Sequence, residues 1–289
     1  MKIAIITDIH HGPVSHTKKE GWDGLAVLAG FLDWAEANGA DMILDLGDHI
    51  SDTSRENDLR VMGEVVATFE RSSLKRVHVL GNHDVAKLSV ADNEKLFGAS
   101  MQSQVHDLGA FRLISWQPDV EIRWPHGFAE TGAHLDWLVE TLNADPRPAI
   151  IATHVPVSGH SQIGNYYFER NPQFSTYPDH ERIRAAVEAT GRVAAWLSGH
   201  VHWNTITTIA GIRHITIQSM SERFTTMPEP AAAFAMLEIS GGELDLAVHG
   251  EDPFAARMPF RASGERPWMQ PAAPFSQREA APEADVLDA

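Results

Sequence analysis

The 289-residue chain contains no cysteine. That excludes disulfides, thiolate metal sites and a cysteine nucleophile. No apolar run approaches the roughly 20 residues of a membrane span. Positive charge is scarce as well: 23 Lys and Arg stand against 39 Asp and Glu, a formal net charge of -16. Such a surface repels nucleic-acid phosphates and disfavours a general DNA- or RNA-binding role. Met1-Lys2 leads straight into Ile3-Ala4-Ile5-Ile6-Thr7. That run is too short for a signal peptide and has no small-residue cleavage site, so a first strand and a cytoplasmic location are expected. No Gly-rich, phosphate-cradling helix start is apparent.

What is present is 43% hydrophobic sequence, enough for one large core or two small ones. The first half alternates strand and helix patterns. Ile3–Thr7, Asp41–Leu46 and Arg76–Leu80 read as strands, and Trp22–Asn38 and Arg55–Glu70 as helices. That order predicts parallel strands with crossover helices, and ligands gathered outside the carboxyl ends of the strands. The second half adds strands at Phe111–Ser115, Ala149–Thr153 and Val193–Leu197, and helices at Thr131–Leu142 and Glu181–Ala189. Period two then takes over at Thr205–Ile209, Ile212–Gln218, Ala233–Ile239 and Glu243–Val248, which predicts antiparallel strands. Residues 1–261 are expected to form one catalytic domain, followed by a mobile Pro- and Ala-rich tail over 262–289. Trp268, Met269 and Phe275 are its apolar exceptions, candidates to dock on the body or on a second subunit.

Four motifs fall in one order at strand ends: Asp8-Ile9-His10, Gly47-Asp48, Gly81-Asn82-His83-Asp84 and Gly199-His200-Val201-His202. His154 stands alone between the last two. In an extended chain, residues i and i+2 point the same way, which pairs Asp8 with His10 and His200 with His202. Asp48 has the chemistry of a bridge between two cations, and Asn82 offers a neutral carbonyl oxygen. Imidazole and carboxylate together suit Mn, Fe, Zn or Ni without choosing among them. One histidine at a strand end is usually structural. Here five of the 16 occupy motif positions beside partners of the correct type.

This ordered set resembles the calcineurin-like metallophosphoesterases, and most nearly their cyclic-nucleotide and glycerophosphodiester phosphodiesterases. The resemblance implies an α/β fold, a four-layer αββα sandwich with two mixed β-sheets flanked by helices. It implies two divalent transition-metal ions, one held by Asp8, His10 and His202, the other by Asn82, His154 and His200, with Asp48 bridging. His83 becomes the non-ligand histidine that touches the substrate phosphate, and Asp84 the acid that orients it. The implied chemistry is hydrolysis of a small-molecule phosphate ester, a diester before a monoester, by direct attack of a metal-bridging hydroxide. Phosphomonoesterase and nucleotide pyrophosphatase are the alternatives, and a non-catalytic metal-binding scaffold is a remote one. Purple acid phosphatases carry a Tyr three residues after the bridging Asp. This chain has Ser51 there, which argues against an iron–tyrosinate site.

The connection from Val155 to Asp179 is long and holds all three tyrosines, Tyr166, Tyr167 and Tyr177. Loops of that length without regular structure are often functional. Residues 155–179 are expected to form one pocket wall and 220–230 a second. His11, His49, His160, Asn165 and Tyr166 are the candidate substrate contacts. Sequence sets neither the substrate nor the metal, and a homodimer enters only by analogy.

Overall fold

Alternation along the first strand assigns two faces. In β1 (Lys2–Ile6), Ile3 and Ile5 join one apolar cluster and Ala4 and Ile6 another, so the strand is covered on both sides. In this computed structural model, residues 1–13, 18–272 and 274 are described. Helix α1 (Gly24–Ala37) starts where the Asp23 carboxylate accepts from the Ala26 N–H at 3.0 Å. Strand β2 (Met42–Asp45), helix α2 (Arg55–Phe69) and strand β3 (Lys75–His78) follow, and β1, β2 and β3 pair in parallel.

Three elements then appear that periodicity had not marked: helices α3 (Asn82–Val85) and α4 (Val90–Phe97) and strand β4 (Gln104–Asp107). Helix α3 is a single turn, too short to show a period. Strand β4 lies at a sheet edge, and three of its four residues, Gln104, His106 and Asp107, are polar. Strand β5 (Arg112–Ser115), helix α5 (Ala133–Asn143), strand β6 (Ala149–Ala152), helix α6 (His180–Thr190) and strand β7 (Val193–Ser198) continue the parallel winding. Strands β8 (Thr205–Ile209) and β9 (Ile212–Thr216) form the expected hairpin, but β9 also runs parallel to β7. Strands β10 (Phe234–Ser240), β11 (Glu243–His249) and β12 (Phe254–Pro259) are antiparallel, with β10 closing onto β1. Strand β12, another exposed edge, was also not expected.

The two sheets have the orders β12-β11-β10-β1-β2-β3 and β4-β5-β6-β7-β9-β8. Ile3, Leu44 and Leu237 of the first pack with Leu113, Ile150 and Leu197 of the second between the sheets. Leu28, Phe31 and Val65 cover the outer face of the first, and Leu138 and Ile183 that of the second. This is the expected four-layer αββα sandwich of two mixed sheets. No helix among the described residues is long and apolar enough to cross a membrane.

Beyond β12 the chain stays on the body for several residues. Ala262 is buried, and the Gly264 N–H donates to the Gly191 carbonyl at 2.9 Å. A Cβ on Gly264 would sit 2.9 Å from that oxygen, so the close approach needs glycine. Trp268 is half-exposed and Met269 almost fully exposed, while Phe275 lies outside the described residues.

One polar residue holds the second sheet to its helix. Arg112 on β5 is 2% exposed and donates to the carbonyls of Thr141 at 2.8 Å, Asp145 at 2.8 Å and Arg147 at 3.2 Å. These carbonyls lie at and beyond the end of α5, where helices leave acceptors unpaired. Replacing Arg112 with Met should cost about 2–4 kcal/mol, because buried carbonyls lose their donors. Urea unfolding midpoints check this.

Candidate metal centre

Each motif sits where a strand ends and the chain turns sharply. Asp8, His10, Asp48, His200 and His202 all have φ between 47° and 69°. They are five of the seven non-glycine residues with positive φ among the described residues, which marks the strand ends as the strained part of the backbone. Such conformations cost roughly 1–3 kcal/mol each and persist only where surrounding structure imposes them. The expected pairing of residues i and i+2 is therefore reached by left-handed turns instead of extended chain. Backbone bonds impose the turns: Asp8 N–H to Gly47 O at 2.8 Å, His10 N–H to Asp48 O at 2.9 Å, and Gly199 N–H to His154 O at 3.0 Å.

Within this frame every carboxylate is half engaged. Asp8 Oδ2 accepts from Thr7 Oγ1 at 2.6 Å and from the His200 N–H at 3.0 Å, leaving Oδ1 unpartnered. Asp48 Oδ1 accepts from the His83 N–H at 2.8 Å. Its Oδ2 is shared, lying 3.7 Å from His10 Nε2 and 3.2 Å from His154 Nε2. His202 Nε2 is 3.2 Å from Asp8 Oδ1 and 3.2 Å from His10 Nε2. The other ring nitrogens are fixed by the backbone. His154 Nδ1 bonds Leu46 O at 2.8 Å, and His200 Nε2 bonds Phe174 O at 2.6 Å. That leaves His154 Nε2 and His200 Nδ1 as lone-pair donors to a cation.

Two groups result, Asp8–His10–Asp48–His202 and Asp48–His154–His200, each with candidate ligand atoms within 4.8 Å of one another. Buried Asp8 Oδ1, Asn82 Oδ1, His154 Nε2 and His202 Nδ1 have no hydrogen-bond partner. Ligands about 2.1 Å from a shared cation lie roughly 3.0–3.5 Å apart. The spacings of the mutually facing acceptors match that well enough to fit two divalent transition-metal ions.

Electrostatics agree. Burial opposes charge on Asp8, yet His202 beside it brings its carboxyl down to about 2. Burial also opposes charge on His154, and Asp48 outweighs it, raising the ring to about 9. Anionic carboxylates draw a cation in, and the proton it would displace is the one on the His154 ring.

A third group, Asp45, His49 and His78, brings its ligand-type atoms equally close together. Here the atoms bond one another directly. His49 Nε2 contacts Asp45 Oδ2, His78 Nδ1 bonds the same oxygen at 2.7 Å, and His49 Nδ1 bonds Asp84 Oδ2 at 2.8 Å. No gap remains for an ion. Burial opposes charge on His49, but Asp45 and Asp84 on either side hold its pKa well above the ordinary value. It is a buried imidazolium strut.

Several expected roles change. Asp84 does not orient His83. Its carboxylate accepts from the N–H groups of Asp48 at 3.0 Å, His49 at 2.8 Å and Gly81 at 2.8 Å, and from His49 Nδ1. His83 Nδ1 is instead bonded to Asp52 Oδ1 at 2.5 Å. Burial works against the charged form of His83, and Asp48 with Asp52 overcomes it, raising the ring to about 9. Of the five candidate substrate contacts, Tyr166 alone lines the cleft above the ligands. His49 is fully buried in its strut. Asn165 is 1% exposed and ties its loop down, donating to Val201 O at 2.9 Å. His11 turns to Glu64 on α2 at 2.8 Å, and His160 packs edge-on against Trp203 beside a separate concavity.

The cleft has a volume of about 610 Å³. Asp48, Asn82, His83, His200 and His202 form its floor. Tyr166, Tyr167, Phe168 and Phe174 make one wall, and Asp52, Ala86, Lys87 and Glu121 another. Residues 220–230 touch the centre through Glu222, which is buried, with Oε1 3.9 Å from His202 Nδ1. Ser51, at the position of the missing tyrosine, accepts from buried Lys18 Nζ at 2.9 Å. No pattern in the sequence singled out Asp45, Lys18 or Glu222, since their roles depend on which loops meet.

Residues 1–204 match the model of the calcineurin-like phosphoesterases. The chain belongs to the calcineurin-like phosphoesterase family. Solved structures agree on the fold of this phosphoesterase. It is similar to a dimetal phosphatase from Danio rerio at 15% identity and a TM-score of 0.70, covering 90% of this chain and 99% of that one. It is also similar to a purple acid phosphatase from yellow lupin (Lupinus luteus) seeds, at 12% identity and a TM-score of 0.66, covering 94% of this chain and 57% of the other. No curated protein matches the chain.

Two substitutions test the frame. A Cβ on Gly81 would fall 2.2 Å from Asp48 Oδ1 and 2.4 Å from Asp48 N, both fixed. Gly81→Ala should therefore displace Asp48 and lower manganese content below that of the parent, read by elemental analysis after desalting. The Asp45 strut can be read through pH in metal-free protein. Burial opposes charge on Asp45, but His49 and His78 pull its folded pKa below the ordinary 3.8. Its contribution is thus present above about pH 4 and lost as pH falls toward the folded value. Asp45→Asn should lower stability at pH 7 by about 3 kcal/mol. The gap in urea midpoint from the parent should narrow below pH 4.

Proposed function

We propose that this phosphoesterase hydrolyses a small-molecule phosphodiester at a binuclear centre formed by Asp8, His10, His202, Asn82, His154, His200 and bridging Asp48. The observation that carries the reading is Asp48 Oδ2, which faces both ligand groups at the floor of a cleft that also presents His83. Cations held by these residues would supply an activated water and offset charge on the phosphate oxygens.

The protein's own groups do the rest. Asp52 holds the proton on His83 Nδ1, so Nε2 is the atom left to meet substrate. In the metal-free protein Asp48 and Asp52 raise the ring to about 9 against the effect of burial, and Asp52, which is no metal ligand, keeps its hold on the ring when cations bind. The ring can stabilise a phosphate oxygen or hand a proton to the leaving alkoxide. Asp84 acts on the backbone, keeping Asp48 and Gly81 in register. The 155–179 loop, acting as a cap, contributes the aromatic wall, and Lys87 gives the opposite wall its cation. Walls of different character on two sides of the floor suit a phosphorus that carries two substituents. That favours a diester over a monoester.

The test is paired hydrolysis of bis(p-nitrophenyl) phosphate and p-nitrophenyl phosphate by manganese-reconstituted protein. Diester preference is expected, and monoester preference would reassign the enzyme as a phosphatase. His83→Ala should lower kcat by about 10²–10⁴ with metal content unchanged. Asp52→Asn should lower it less and alter the pH profile, because it removes only the orienting carboxylate.

A further inference from the structure

A second, distant feature runs against the charge of the chain. Although the net charge is -16, Arg213, Arg261 and Arg266 line one small concavity together with Gly211, Ser263 and Trp268. Arg213 lies on β9 in register with Ala195 of β7, five residues before His200. The concavity is thus roughly 15 Å back along the strands from the metal centre. Segment 259–268 is held there by the Gly264–Gly191 hydrogen bond at 2.9 Å.

We propose that these three arginines form a binding site for a phosphate-bearing small molecule, separate from the catalytic cleft. Among the described residues, Arg213 hydrogen-bonds only the Thr208 hydroxyl, at 2.5 Å, and no carboxylate lies in ion-pair range of any of the three. Gathering three like charges is unfavourable, and partial burial makes it more so. Burial first, then Arg261 and Arg266, depress the pKa of Arg213. An oxyanion in the concavity reverses that balance. A guanidinium presents a planar fork that matches phosphate geometry, and three of them suit a dianion. Two further features point to a ligand. The Ser263 hydroxyl is buried without a hydrogen-bond partner, so it has a donor to give. The half-exposed Trp268 ring at the rim offers a face for a planar substituent.

The experiment titrates the full-length, manganese-loaded protein with inorganic phosphate and with adenosine monophosphate, by calorimetry. The parent should show one class of sites beyond any at the metal centre. The double variant Arg261→Gln/Arg266→Gln should lose that class or bind at least about tenfold more weakly. Inhibition of hydrolysis by phosphate should be unchanged, since the catalytic cleft is untouched. Loss of one class is readable whether or not the metal centre binds phosphate, so this result stands apart from the proposed activity. Trp268→Ala should remove any advantage of the nucleotide over inorganic phosphate. Should the double variant fold poorly, exposed Arg266→Gln alone provides the comparison. Identical isotherms for parent and variant, or no binding by the parent outside the metal centre, would overturn the site.

Discussion

The Asp84 carboxylate is the constraint on which the centre rests. Its two oxygens accept three backbone N–H groups, from Asp48, His49 and Gly81, and the ring nitrogen of His49. Through those bonds the turn after β2 is fixed to the turn after β3. Asp48 comes from the first turn, and Asn82 and His83 from the second. Hydrogen bonds that a carboxylate accepts are worth more than neutral ones. Behind it, the His49 imidazolium carries the same tie inward to Asp45 and His78.

This bracing explains how strain can gather at one edge. The ligand residues with positive φ would relax if their turns were free. They are instead locked by bonds between loops, with Gly81 against Asp48, and Gly199 against Thr7 and Asp8, at distances no side chain would permit. The result is a set of donor atoms that face one another before any cation arrives. Preorganisation of that kind moves the cost of assembly into folding, where the αββα core supplies it.

Much of this was legible in the sequence, and the rest was hidden for physical reasons. The winding order and the convergence of the motifs followed from buried strands and ligand-type residues at their ends, and the sandwich from the family resemblance that those motifs carry. The edge strands β4 and β12 escaped notice because exposed edges carry polar residues that blur period two. The parallel pairing of β9 with β7 is non-local and leaves no mark in β9 itself. Asp84 misled because adjacency to His83 says nothing about direction: the two side chains leave a helical turn on different faces, and Asp52 comes from another loop. His49 looked like a substrate contact because it follows a ligand, and Asn165 because it lies in the long loop over the site; a polar residue in either place reads the same whether it faces the cleft or braces a loop.

The most direct test of the account is metal stoichiometry. Protein reconstituted with manganese, desalted and measured by elemental analysis should hold two ions per chain. Asp48→Asn should hold one or fewer, because a single oxygen of Asp48 serves both groups. One ion or none in the parent, or two retained tightly by Asp48→Asn, would contradict a centre bridged by that residue.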